Sequence, residues 1–373
     1  MKLNGFLEDC VRIDVMATPK YEQVKKFLID FIQSSGLKYG DSMPTESELM
    51  KMFDVSRHTI RRALSDLVNQ GWLYTTQGSG TYVADPNADA KLSGKMVGVI
   101  TTYFKDYIFP EILSGMDDVF SEEGYSLLLG TTKNNGARER VVLNNMLNNQ
   151  LAGLIVEPIK SVYPNQNIQL YETFRNRGIP VLFIHATYRG FESSFVIEDD
   201  EYAGYIATKH LLDLGHKRII GVFKQDDMQG HGRYQGYVNA YEEAGLPLDT
   251  SLVYWFTTEE RKSIISEENL EKWLKDSRGV TGFICYNDQI AIQLMNCVKG
   301  MGIHIPRDYS VVSFDNSHLA DKLETKLTTV AHPKSMLGEK AATILMDLMK
   351  DPTKVVEEVM RPELIVREST RRL

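Results

Sequence analysis

The chain has 373 residues, 43% hydrophobic and 25% charged, which is the mixture of a folded globular protein and enough for two or three domains. No apolar run reaches the ~20 residues of a membrane span, the opening MKLNGFLEDCVRIDV lacks the continuous apolar core of a signal peptide, and three cysteines without a CxxC fit a reducing cytoplasm. Net charge is −8, yet residues 1–95 balance 12 Lys/Arg against 12 Asp/Glu, so the whole deficit lies in residues 96–373, with 30 against 38.

Tyr21, Val24, Phe27, Leu28, Phe31 and Ile32 recur at spacings of three and four, which predicts an amphipathic helix. After a turn over 36–44, Thr45 with Glu48 three residues on is a capping box, and it starts a short second helix carrying Leu49, Met52 and Phe53. Ser56 caps a third helix with Ile60, Ala63, Leu64, Leu67 and Val68 on one face and Gly71 at its end. Two helices joined by Phe53, Asp54, Val55 and Ser56 make a helix-turn-helix. WLYTTQGSGTYV then alternates on both sides of Gln77, Gly78, Ser79 and Gly80, the pattern of a β-hairpin wing. The third helix leaves His58, Arg62 and Ser65 outward, with Arg57 and Arg61 along one edge. Residues 55–83 hold three Arg against one Asp, a basic surface inside an acidic protein. Arg can fork onto guanine and Ser or Thr can bind phosphate, so this face suits a DNA major groove. On charge alone a solvated helix face explains it better; the helix-turn-helix and the wing reverse that judgement.

In this order of parts, PTESELMKMFDVSRHTIRRALSDLVNQGWLYTTQGSGTYVA resembles the winged-helix DNA-binding domain of the GntR family, over about residues 19–84. The resemblance implies that Glu46, Arg57, Thr59 and Arg61 face the major groove, while Gln77 and Gly78 reach the minor groove or backbone. Ser56, His58 and Arg62 are read as part of the same surface. Next comes ADPNADAKLSGK, without periodicity, a linker composition. The expected division is therefore an extension over 1–17, the head over 18–84, a linker over 85–95 and a second domain over 96–373.

From Met96 the apolar strands MVGVIT, YSLLLG, LAGLIV, PVLFIH, SFVIED, RIIGVF, LVYWF, TGFICY and SVVSFD follow in series, most separated by an amphipathic segment such as 108–123, 138–149 or 202–214. Strands apolar throughout that alternate with helices predict parallel sheets covered on both faces. Ligands in such α/β folds bind beyond the carboxyl ends of the strands. Those ends carry Thr101, Thr102 and Tyr103, then Glu157, His185, Asp199 and Asp200, Asn287 and Asp288, and Asp315 and Asn316, while Arg233 follows a loop over 225–232 and opens the next helix. Carboxylates and amides that converge with one Arg and several aromatics match the vicinal hydroxyls of a sugar. An Asp at a strand end also serves as a cap for the next helix, and of these carboxylates Asp199 and Asp288 are the strongest candidates for more than capping.

EDDEYAGYIATKHLLDLGHKRI, GRYQGYVNAYEEAGL, CYNDQIAI, YSVVSFDNS and LTTVAHPKSMLGEKAA resemble the effector-binding domain of the LacI/GalR family, with its periplasmic-binding-protein type I fold of two parallel-sheet lobes. That implies effector contacts at Asp199, Arg233, Asn287, Asp288 and Asp315. Asp200 and Asn316 depart from the family's pattern. A GntR-type head on a LacI-type body, together with TTYFKDYIFPEILSG and GLIVEPIKS, is similar to the arabinose-responsive repressors of Gram-positive bacteria. The site read with it adds Tyr103, Asp106, Tyr107, Glu157 and His185. The resemblance, not strand-end chemistry, implies L-arabinose as effector. It also implies a repressor that binds a near-palindromic operator as a homodimer, two heads on two half-sites. No P-loop, HExxH or paired Cys/His spacing is present, so catalytic residues, cofactor and metal are not expected. A transport binding protein would need an export signal and no head, and membrane association is not expected.

Overall fold

A computed structural model describes residues 19–69, 72–76, 80–84, 96–104 and 108–373. Of the residues singled out above, Gly71, Gln77, Gly78, Ser79, Asp106, Tyr107 and the 1–17 extension lie outside these, as does the linker. The chain divides into two compact units between residues 94 and 95, each described by itself.

The first unit packs α1 (Lys20–Ser34), α2 (Glu46–Phe53) and α3 (Arg57–Asn69) around Val24, Leu28, Leu49, Ile60, Leu64 and Leu67. The capping box forms: the Thr45 hydroxyl accepts from Glu48 N at 3.3 Å, and the Glu48 carboxylate accepts from Thr45 N at 2.7 Å. Asp54 ends α2 in the left-handed region at φ 47°, which turns the chain into α3 within three residues. Ser56 Oγ then accepts from Thr59 N. The wing is the antiparallel pair β1 (Leu73–Thr76) and β2 (Gly80–Val83), in register from Leu73 opposite Val83 to Thr76 opposite Gly80.

The second unit has two lobes. One sheet collects β3 (Met96–Thr101), β4 (Ser126–Thr131), β5 (Leu151–Val156), β6 (Val181–Ile184), β7 (Ser194–Glu198) and β13 (Glu357–Met360) in the order β4-β3-β5-β6-β7-β13, parallel throughout. The other holds β8 (Ile219–Lys224), β9 (Val253–Phe256), β10 (Gly282–Cys285), β11 (Ser310–Phe314), β12 (Thr328–Ala331) and β14 (Glu363–Ile365) in the order β9-β8-β10-β11-β12-β14, with only β14 antiparallel. The nine strands read in series all form. The added β12 to β14 are three or four residues long, and β13 is an edge strand that opens with two glutamates, so no run of apolar residues marks it.

The first lobe carries α4 (Phe109–Glu122), α5 (Gly136–Leu147), α6 (Ile168–Asn176) and the late α11 (Lys334–Lys350). The second carries α7 (Asp200–Asp213), α8 (Met228–Glu243), α9 (Glu267–Asp276) and α10 (Asp288–Gly300); α8 starts inside the expected 225–232 loop because Asp227 caps it there, so Arg233 lies in its second turn rather than at its start. The chain thus passes between lobes three times, after β7, after β12 and after β13. Each lobe also contains one helix pair in backbone contact. A Cβ on Gly115 of α4 would lie 2.3 Å from Ser335 O, and one on Gly338 of α11 would lie 2.1 Å from Ile112 O. In the other lobe a Cβ on Gly236 of α8 would meet Glu201 O at 1.9 Å, and one on Gly204 of α7 would meet Arg233 O at 2.0 Å. Only glycine permits these crossings.

Candidate functional site

On the head, the apolar stripe of α3 is buried and its first turns face out, with Ser56, Arg57, His58 and Arg61 exposed and Thr59 half-buried. Glu46, at the start of α2, reaches this face: its carboxylate accepts from Arg61 Nε at 2.9 and 3.1 Å and lies 3.7 Å from Arg57 Nε. Holding Arg61 by its ε nitrogen directs no bond to the two η nitrogens, the fork that reads guanine. Arg62 instead stacks over Tyr21 of α1, 4.1 Å from the ring centre. Its cation rests on α1, while the residue itself stays one turn from His58 on the exposed side of the helix.

In the second unit the strands of both lobes end at one cleft. It is lined by Thr102, Tyr103 and Phe109, by Glu157, His185 and Asn134, and by Lys224, Asp227 and Arg233 with Arg261, Tyr286, Asn287, Gln289 and Asp315. Of the described effector candidates, Tyr103, Glu157, His185, Arg233, Asn287 and Asp315 come together here. Asp199 and Asp288 do not. The Asp199 carboxylate accepts from Tyr202 N at 2.9 Å and caps α7. Asp288 is wholly buried and accepts from Ser313 Oγ at 2.5 Å, Ser317 N at 2.6 Å and Thr329 Oγ1 at 2.8 Å. Burial, and then the charge of Asp315, raise its carboxyl to about 6. Both carboxylates hold the ends of elements together, the alternative use of a strand-end Asp.

Asp200, which departs from the family's pattern, does not line the cleft but holds the Arg233 that does. Its carboxylate accepts from Arg233 Nε at 2.9 Å. Arg233 also donates to Tyr286 O at 2.6 Å, and its remaining η nitrogen lies 3.6 Å from Asp315 and 3.7 Å from Glu198. One buried guanidinium therefore joins the crossing after β7 to the ends of β10 and β11, and Tyr286 and Phe314 sandwich it at 5.0 and 4.6 Å. Two of its five N–H groups, on Nε and Nη1, donate to the protein and Nη2 faces two carboxylates, so part of its task at the cleft is to hold these acceptors in place.

A second chain of groups starts in the other lobe. Glu157 accepts from Thr102 N at 2.5 Å and lies 3.5 Å from His185 Nδ1. His185, buried and at φ 66°, shares a proton with His332 across a 3.0 Å Nε2–Nε2 contact. Burial, and then the charges of His185, Lys334 and Arg233, hold His332 well below the usual histidine range and so neutral. Its Nδ1 is buried and has no hydrogen-bond partner among the described residues. Lys334 donates to the carbonyls of Asp315 and Asn316.

Of the seven described non-glycine residues with positive φ, Asn134, His185 and Asp315 line this cleft, Lys133 and Asn316 are their chain neighbours, and Lys160 is hydrogen-bonded to Asn134. Backbone held in that region concentrates where function needs it. Among the described residues no group of three or more His, Cys, Asp and Glu is placed to hold a metal ion, and no helix is long and apolar enough to cross a membrane.

Two family models match the chain: bacterial regulatory proteins of the gntR family over residues 20–83, and the periplasmic binding protein-like domain over residues 208–370. The arabinose metabolism transcriptional repressor of Geobacillus stearothermophilus is 40% identical over 95% of this chain and 98% of its own. The repressor of the same name from Halalkalibacterium halodurans is 40% identical over 94% and 95%. This chain belongs to the arabinose metabolism transcriptional repressors. A LacI family transcriptional regulator from Enterococcus faecium, solved with bound ribose, is 25% identical with a TM-score of 0.64, covering 75% of this chain and all of its own.

For a member of this repressor family, the sequence left several cleft residues unread. Lys224, Asp227, Tyr286, Arg261 and Gln289 all line it. Asp227 accepts from Tyr286 Oη at 2.9 Å and Lys224 Nζ at 3.3 Å; burial works against its charge, and these partners outweigh it and hold the carboxyl below the usual range. The available signal was positional: Lys224 ends β8 and Asp227 opens α8, the same strand-to-helix junction that singled out Asn287.

Proposed function

We propose that this protein represses genes of arabinose use by binding a near-palindromic operator as a homodimer, and that L-arabinose in the interlobe cleft releases it. The cleft carries this reading: a set of carboxylate, amide, guanidinium and aromatic groups closes on one space exactly where the chain passes between lobes. A ligand held from both sides at such a junction favours one lobe arrangement. It can shift operator affinity only by its difference in affinity for the two arrangements. Lys224, Arg233 and Arg261 against Glu157, Asp227 and Asp315 balance in charge, which suits a neutral polyol better than a sugar acid or phosphate. The names of the two relatives supply the sugar, and ribose in the related regulator supports the pentose class. On the head, Glu46, Ser56, Arg57, His58, Thr59 and Arg61 form the proposed DNA surface.

The test is fluorescence anisotropy of operator DNA bound to the full chain, titrated separately with L-arabinose, D-xylose, D-ribose and D-glucose. Release by L-arabinose at a lower concentration than by the others is expected. Release by another sugar alone moves the effector assignment to that sugar. Operator binding that no sugar alters overturns the proposal.

A further inference from the structure

The two lobes are joined at the cleft by a second set of contacts, separate from the three crossings. Lys160, after β5, reaches into the other lobe and places its ammonium 2.6 Å from Glu259 and 3.8 Å from Asp226. Asn134, after β4, donates to Thr258 Oγ1 at 2.6 Å. Ser161 donates to Asp227 at 3.2 Å, and its oxygen accepts from Met228 N at 2.9 Å. That N–H is one of the open donors at the start of α8, and its partner lies across the cleft.

The first-lobe side of this arrangement is held ready. Lys160 N donates to Asn134 Oδ1 at 2.9 Å, which ties the two loops to each other before either reaches across. Both residues have positive φ, 38° and 55°, a conformation that persists only where the surroundings enforce it. On the opposite side Asp226 is 1% exposed and has a buried Oδ1 without a hydrogen-bond partner. A buried carboxylate needs compensating positive charge, and Lys160 and Lys224 flank it. Burial disfavours the ammonium of Lys160, and Glu259 and Asp226 outweigh that and strengthen its proton affinity. Lys160, Ser161, Asp226, Thr258 and Glu259 do not line the cavity.

We propose that Lys160 is the bolt of an electrostatic latch that holds the lobes together: a positioning residue that sets how much effector is needed without touching it. The effector part rests on the function proposed above; the latch itself does not. Free protein samples an open arrangement in which the Lys160, Asn134 and Ser161 contacts are broken, and the latch sets how rare that arrangement is. An effector that binds between joined lobes gains whatever closure the latch has already supplied.

Hydrogen exchange of the full-length, sugar-free protein tests the latch directly, because the Met228 amide is protected across the cleft. Lys160→Met keeps the length of the side chain and removes its charge. It should speed exchange at Met228 about three- to tenfold, leave the amides of β5 and β10 at wild-type rates, and abolish the acceleration that 1 M KCl causes in wild type. Lys160→Arg should stay within about twofold of wild type. Unchanged exchange at Met228 in Lys160→Met overturns the latch, and so does loss of protection throughout β5, which would make Lys160 a residue of the fold. In the operator assay, Lys160→Met should need about three to ten times more L-arabinose for release. A wild-type protein indifferent to L-arabinose would count against the proposed effector, while the exchange result would still decide the latch.

Discussion

Replacing Glu198 by Gln should leave the second unit folded and make it more stable, relative to wild type, as pH rises. Arg233 faces three carboxylates at once, Asp200 at 2.9 Å, Asp315 at 3.6 Å and Glu198 at 3.7 Å, and one guanidinium cannot neutralise three buried anions. The Glu198 side chain is 2% exposed, its Oε1 has no hydrogen-bond partner, and burial followed by the charge of Asp200 pushes its carboxyl well above the usual range. Glu198 is therefore the member of the cluster that keeps its proton. Were it ionised, its attraction to Arg233 would amount to about 4 kcal/mol at an effective dielectric constant of ~20, and Gln would forfeit it. For a neutral acid the exchange for a neutral amide of equal size should cost less than about 1 kcal/mol at pH 7. Linkage gives an independent reading. The folded state retains a proton that the unfolded chain releases near pH 4 to 5, so the folded state binds more protons above that range and wild-type stability falls with rising pH, by up to about 1.4 kcal/mol per unit. Gln has no proton to lose. Its stability relative to wild type should climb by about 1–3 kcal/mol between pH 5 and pH 7. Urea unfolding followed by tryptophan fluorescence measures this, since Trp255 and Trp273 lie in this unit and Trp72 in the head. A loss near 4 kcal/mol at pH 7, or a difference that does not vary with pH, would refute the protonated Glu198.

Asp288→Ala strands three buried donors, those of Ser313, Ser317 and Thr329, and should lower the unfolding free energy of the second unit by about 3–5 kcal/mol. The folded fraction should bind effector as wild type does, and a weakened isotherm with an unchanged urea midpoint would return Asp288 to the ligand site. Arg61→Ala should weaken operator binding about ten- to hundredfold, or ~1–3 kcal/mol, because its side chain is 64% exposed and its forked end is available. The thermal midpoint of the head should hold, as an exposed ion pair with Glu46 contributes under about 1 kcal/mol; equal operator affinity in mutant and wild type would remove α3 from the groove.

Local signals were the legible ones. Thr45 and Glu48 announce the start of α2 because a capping box is complete within four residues, and the β3 to β11 strands stand out because each carries a largely apolar run, fully covered in central strands such as β6, β10 and β11. The location of the cleft followed from the strand ends. What each strand-end side chain does there was not legible. Asp199 and Asp200 are neighbours in sequence, yet one caps α7 and the other holds Arg233, because Asp199 is the non-helical N-cap and Asp200 the first helical residue, so their side chains leave the backbone in different directions. The buried hydrogen bonds of Asp288 are illegible for a related reason: its three partners come from 25, 29 and 41 residues away, and no spacing in the sequence carries that convergence. Tyr286 and Asp227 meet over 59 residues, and Lys160 meets Glu259 over 99. Groups that join two lobes are the last to be seen in a single sequence.

The glycine crossings limit how this molecule can respond. Where Gly115 and Gly338, or Gly204 and Gly236, bring two helices into backbone contact, neither helix can slide or rotate against its partner without driving carbonyl oxygens into one another. Each lobe is in effect a single machined part, with no internal play to absorb the arrival of a ligand. All of the compliance is left to the few residues that carry the chain from one lobe to the other, around Asp199, His332 and Met360. Substitutions that retune the response without touching the ligand should then collect at those short passages and at the contacts facing them, while changes deep in either sheet alter how well the protein folds and little else.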